Sequence, residues 1–146
     1  MEPRLDFYKA SPDIMKALVA LDVAIGKRDI DPVLLNLIKL RASQINGCAY
    51  CVDSHSSDAR KAGESERRLS AVVAWRETVF FTDLERAALA WTEALTRLPD
   101  THAPEADYVA LRAHCEDSKM VDLSVAIGAI NIWNRLGVAF RKIPKP

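Results

Sequence analysis

A capping side chain followed at once by proline occurs twice early in this chain, at Ser11-Pro12 and Asp31-Pro32, and each pair opens a run of apolar residues at helical spacing. A short oxygen-bearing side chain satisfies the free N–H groups of a first turn, and proline fits there because its missing N–H would have no partner anyway. Ile14, Met15, Leu18, Val19 and Leu21 follow the first pair until Gly26. Leu34, Leu35, Ile38, Leu40 and Ile45 follow the second until Asn46-Gly47 breaks the pattern. A third helix is expected from about Cys48 to Ala62, with Gly63 as its left-handed terminator, and a fourth from a Ser65 cap through Trp75. Thr82-Asp83-Leu84-Glu85 has the form of a capping box and launches a fifth, carrying Leu89, Trp91 and Leu95 as far as Pro99. A sixth fits Pro104 to about Cys115. A seventh begins near Ser118 with Val121, Leu123, Val125, Ile127, Ile130, Ile132 and Trp133. Apolar on much of its circumference, that helix belongs at the centre of the fold or at a subunit interface.

No period-two alternation runs between turn residues, and glycine is scarce at 5 of 146 residues, so no strand is expected. The fold class is all-α, a bundle of about six to seven helices. A chain of 146 residues without an internal repeat or a long linker suits one core, so residues 1–146 are expected to form one domain. Twenty basic residues balance twenty acidic ones, which leaves no positive field for nucleic acid or an anionic membrane. The most apolar stretch, Val125 to Trp133, is far shorter than the roughly 18 to 20 residues that span a bilayer. The N-terminal MEPRLDFYKASP has no apolar core of a signal peptide, and three cysteines do not make a secreted disulfide framework. A cytoplasmic location is expected.

Two of those cysteines stand three apart in Asn46-Gly47-Cys48-Ala49-Tyr50-Cys51-Val52-Asp53-Ser54-His55. At about 100° per residue, Cys48, Cys51 and His55 fall within about 60° of one another on a helix. At a helix start, free N–H groups and the positive end of the dipole favour a thiolate, the nucleophile of redox chemistry. A neighbouring cysteine can close a disulfide with it. His55, one turn on, is suited to take or return a proton near neutral pH. The spacing leaves open which cysteine attacks, since Cys48 is nearer the helix start and Cys51 nearer His55. Zinc would need two further ligands, and the remaining Cys115, His102 and His114 have no second ligand spacing, so no metal is expected. Cys115 reads as a small buried residue; His102 and His114 default to the surface.

In these residues the chain resembles the alkyl hydroperoxidase D-like branch of the carboxymuconolactone decarboxylase superfamily. The likeness runs through Leu37 to Cys51 with His55, Asp58-Ala59-Arg60, Gly63-Glu64, Trp75-Arg76-Glu77, Glu85 to Thr96, and Ile130-Asn131-Ile132-Trp133-Asn134-Arg135. The resemblance implies an all-helical subunit assembled as a homotrimer or homohexamer. It also implies a Cys48–Cys51 pair that reduces hydrogen peroxide or organic hydroperoxides and becomes a disulfide, with His55 in the proton relay. No prosthetic group is needed. A lipoyl-bearing or thioredoxin-like protein would return the electrons, and a peroxiredoxin would be a further partner. Two alternatives accompany this reading: a non-catalytic redox-sensing oligomer, and a lyase of the decarboxylase type, which the cysteine pair disfavours. The hydroperoxidase branch usually carries glutamate twelve residues before its first cysteine, where this chain has Asn36. An amide cannot accept and release a proton as a carboxyl can. The relay is therefore expected to be weakened, rerouted or absent, with Glu93 the first substitute to inspect.

Overall fold

The computed structural model describes residues 1–144, which contain helices and no strand. In chain order they are α1 (Phe7–Ala10), α2 (Pro12–Gly26), α3 (Pro32–Asn46), α4 (Ala49–Lys61), α5 (Glu66–Ala71), α6 (Asp83–Thr96), α7 (Leu98–Thr101), α8 (Glu105–Arg112) and α9 (Asp117–Ala139). A 3₁₀ turn, Val72–Glu77, continues α5. The seven helices expected from sequence are present, and α1 and α7 are additional single turns. Trp75 falls in the 3₁₀ turn because the backbone leaves helical geometry at Ala74 (φ −124°, ψ 34°). Pro99 does not extend α6; it sits in the first turn of α7, the one place in a helix where its missing N–H is harmless.

Most of the caps act as their chemistry dictates. Asp31 accepts from the N–H groups of Val33 and Leu34, Ser65 from Arg68, and Thr82 and Glu85 form both halves of the capping box. Ser11 is the exception. It makes no side-chain cap bond, because it lies between two consecutive helices and its own N–H closes α1 on Phe7.

α9 is the axis of the fold. Met120, Leu123, Ala126, Ile127, Ala129 and Ile130 are buried along it, packed in one cluster or another against α3, α6 and α8. A second cluster, built on Leu37, Leu40, Leu69, Val72, Trp75 and Leu89, joins the other face of α3 to α6 and the 3₁₀ turn. Truncating a fully buried leucine or isoleucine of this kind to alanine costs about 2–5 kcal/mol.

One corner positions the cysteines. α3 ends on Gly47 at φ 67°, a left-handed conformation that a side chain would strain, and the chain turns straight into α4. Asn46 holds that corner onto α9, donating to the Asn131 side-chain oxygen at 3.0 Å and to that of Asn134 at 2.9 Å. Asn134 in turn donates to Ser43 Oγ at 3.0 Å. These amides, of which Asn131 and Asn134 are buried, lock the register of α3 against α9, since slipping either helix would leave polar groups unpaired.

Candidate active site

Cys48 is the N-cap of α4, and its sulfur accepts the Cys51 N–H at 3.3 Å. Cys51 stands in the first turn. The two are joined as a disulfide with Cα atoms 5.3 Å apart. Both are buried, sealed by Ala42, Ile130, Tyr50 and Trp133. α9 passes so close that a Cβ added to Gly137 would lie 2.8 Å from the Cys48 sulfur and 3.6 Å from that of Cys51. Glycine at 137 is therefore what lets the sulfurs rest against the central helix.

A cavity of about 250 Å³ opens on this pair from one side. Cys51, Ser54 and His55 line it from α4, whereas Cys48 does not reach it. Tyr50, Trp133, Phe7 and Tyr8 give it aromatic walls. At its outer edge the Lys142 ammonium lies 4.1 Å from the Tyr50 ring centre and 4.7 Å from that of Tyr8, a cation–π arrangement. Two charged side chains enter from other helices: Asp22 from α2 and Lys39 from α3, paired at 3.5 Å. The Trp133 indole N–H also donates to the Asp22 carboxylate.

Burial pushes the His55 imidazole down to about 4; nearby Lys39 acts in the same direction, and Asp58 and Asp22 oppose it. At neutral pH the ring is uncharged and can accept a proton. Its Nδ1 is buried and has no hydrogen-bond partner among the described residues. A neutral imidazole beside a sulfur in a largely apolar cavity has the makings of a general base.

Of the residues singled out from sequence, Cys51 and His55 are brought together on the cavity, and Cys48 lies directly behind Cys51. Asn36 and Glu93 are not among the lining residues. Asn36 turns back onto its own helix, donating to the Pro32 carbonyl at 3.0 Å. Glu93 accepts from Arg41 at 2.7 Å, Trp75 at 2.9 Å and Arg76 at 2.8 Å. Burial works against its charge, but these donors outweigh burial and hold its carboxyl below the usual carboxylate range. Glu93 is thus held in an ion-pair cluster away from the cavity. Cys115 is buried in the main core, where burial raises its thiol pKa, and His102 and His114 are exposed. Among the described residues no group of three or more His, Cys, Asp or Glu side chains is placed to hold a metal. No helix among them is long and apolar enough to cross a membrane. Sequence reasoning missed Asp22, Lys39 and Trp133, which reach the site only by tertiary packing.

Residues 12–94 match the model of the carboxymuconolactone decarboxylase family. The chain is 39% identical to the uncharacterized protein YdfG of Bacillus subtilis, over 95% of each chain. It superposes on the crystal structure of a protein of unknown function from Agrobacterium tumefaciens, proposed to be an antioxidant-defence AhpD, with a TM-score of 0.97 and 43% identity over 99% of both chains. The debrominase Bmp8 shares the fold at a TM-score of 0.84, with 22% identity over 94% of this chain and 74% of its own. With its helical architecture and its paired cysteines, the chain belongs to the carboxymuconolactone decarboxylase family, within the alkyl hydroperoxidase D-like group.

Proposed function

We propose that this protein is a dithiol peroxidase that reduces hydrogen peroxide or organic hydroperoxides. One observation carries the reading: within a pair already close enough to form a disulfide, only Cys51 opens on the cavity, and it does so beside an uncharged His55. In the reduced enzyme His55 takes the Cys51 proton, and the thiolate attacks the nearer peroxide oxygen. The O–O bond breaks as the S–O bond forms, giving a sulfenic acid on Cys51 and an alcohol, or water, that leaves with a proton. Cys48 then attacks the Cys51 sulfur, forming the disulfide and releasing water. Two thiols and one hydroperoxide thus give one disulfide, one alcohol and one water.

A dithiol protein, lipoyl-bearing or thioredoxin-like, returns two electrons and two protons to the pair, and a peroxiredoxin is a further candidate partner. The buried position of Cys48 suits a resolving thiol, which needs to reach only its neighbour. Self-association as a trimer or hexamer is supported by an apolar groove between α2 and α9 that exposes Ile14 and Ile132.

The test begins with thiol counting before and after stoichiometric peroxide: both vicinal thiols should be lost, and their survival would sink the reading. Cys48→Ser should accumulate a Cys51 sulfenic acid, whereas Cys51→Ser should not react. Steady-state peroxide consumption with dihydrolipoamide and with thioredoxin then identifies the donor. It also separates an enzyme from a sensor, which would oxidise once and stop.

A further inference from the structure

The acid that the hydroperoxidase branch carries twelve residues before its first cysteine is an amide here, and Asn36 spends its donor on the Pro32 carbonyl. One turn further along α3, Lys39 enters the cavity with its side chain only 12% exposed. An ammonium group so far from water needs a counter-charge. Asp22 provides one from α2, and is itself held by the Trp133 indole of α9. Two helices and the central axis of the fold therefore cooperate to fix one cation in the wall that Cys51 and His55 share.

We propose that Lys39, pinned by Asp22 and Trp133, is the positioning residue whose fixed charge favours the thiolate form of Cys51 in the wall that it shares with His55. This assignment rests on the peroxidase reading for its purpose, but not for its measurement. A fixed cation makes a nearby thiol a stronger acid and a nearby imidazolium a stronger acid as well. The proton that leaves the Cys51 sulfur for a His55 ring nitrogen is thus released easily at both stages, and ends on the departing alkoxide. A glutamate at position 36 would have supplied a proton-accepting group; Lys39 instead supplies a field.

Among the described residues, three charged side chains act on His55. α3 contributes Lys39, α2 contributes Asp22, and Asp58 lies one turn on along α4 itself. α9 contributes the uncharged Ile130 and Trp133, and Lys142, which lines the outer part of the same cavity, rests on Tyr50, Tyr8 and Phe7. Burial is the largest cause of the depression of His55, and among the charges Lys39 outweighs either carboxylate taken singly. A substitution at position 39 should therefore move the ring in a known direction.

The experiment compares wild type with Lys39→Met, which keeps an unbranched apolar stem one atom shorter, and Lys39→Arg, which keeps the charge. In the oxidised protein the His55 titration is followed by NMR; in the reduced protein the Cys51 thiolate is followed by the pH dependence of its alkylation by iodoacetamide. Lys39→Met should raise both midpoints by about one unit, equivalent to about a tenfold lower thiolate fraction below the thiol midpoint. Lys39→Arg should leave both midpoints close to those of wild type. Unchanged midpoints in Lys39→Met, or equal shifts in Lys39→Arg, would overturn the assignment, because a packing defect alone does not follow charge. Neither titration requires turnover, so a protein with these shifts that consumed no peroxide would overturn the peroxidase reading and leave Lys39 in its role.

Discussion

Gly137 and the Cys48 sulfur are in such close apposition that a single added carbon on α9 would lie 2.8 Å from the sulfur. Alanine is intrinsically better than glycine in a helix by roughly 0.5–1 kcal/mol, so Gly137→Ala would stabilise an isolated α9. Against this gain stands overpacking of a buried site, typically about 1–3 kcal/mol. The net effect should be loss, and it should fall mainly on the oxidised form, where the sulfur cannot rotate away. Equilibration in glutathione buffers should show the variant shifted toward the dithiol by roughly threefold to thirtyfold. An unshifted equilibrium would mean that α9 yields instead of the sulfur.

Glu93→Gln should destabilise the fold by about 2–3 kcal/mol, because it leaves the largely buried Arg41 without its carboxylate. Urea unfolding measures this directly. Since Glu93 does not line the cavity, the rate of peroxide-driven disulfide formation in the folded variant should equal that of wild type. A tenfold slower rate would place Glu93 in the relay after all.

His55 gives stability a defined pH dependence. Its folded value is near 4, below the 6.5 of an unperturbed histidine, so between these limits the unfolded chain binds a proton that the folded chain does not. Stability therefore rises with pH across that window and is level above it. Between pH 7 and pH 5 the oxidised protein should lose about 2 kcal/mol by urea unfolding, and His55→Gln should abolish the loss. Glu93 adds a separate dependence at lower pH. Its depressed carboxyl contributes stability above the ordinary glutamate value, lost as pH falls through the folded one. A slope surviving in His55→Gln would assign the upper window to another group.

Asn134→Ala should cost about 1–3 kcal/mol, because it removes an acceptor for Asn46 and a donor for Ser43 at a position 1% exposed. The damage should be local in its first appearance. Amide exchange at Gly47 and Cys48, in the turn that Asn46 anchors, should accelerate more than exchange in α6. Uniform acceleration would show that the amide network supports the whole bundle and not this corner.

Most of the helices could be read from local chemistry, because caps, prolines and terminal glycines act within a few residues of where they stand. Asp31, Ser65 and the Thr82–Glu85 box are examples, each bonding to N–H groups two or three residues away. Ser11 shows the limit: α1 precedes it directly, and nothing in Phe7–Ala10 marks a single helical turn that Asp6 caps. The juxtaposition of Cys51 and His55 was legible for the same reason, being a matter of helical period. Asp22 and Trp133 were not, since their hydrogen bond joins residues 111 apart in sequence and is decided by how α2 meets α9. Glu93 looked available because acidity is visible in a sequence, whereas the three donors that claim it come from α3 and the 3₁₀ turn.

The cavity has two kinds of wall. Its inner wall is α9 and the start of α4, which belong to the most deeply packed part of the molecule. Its outer wall is Phe7 and Tyr8 near one end of the chain and Lys142 near the other, knit together where Arg4 bonds to the Ala139 and Phe140 carbonyls. The sulfurs are therefore placed by the core, whereas the mouth of the site depends on Arg4 tying the segment before α1 to the end of α9, so the entrance and the redox pair answer to different parts of the fold.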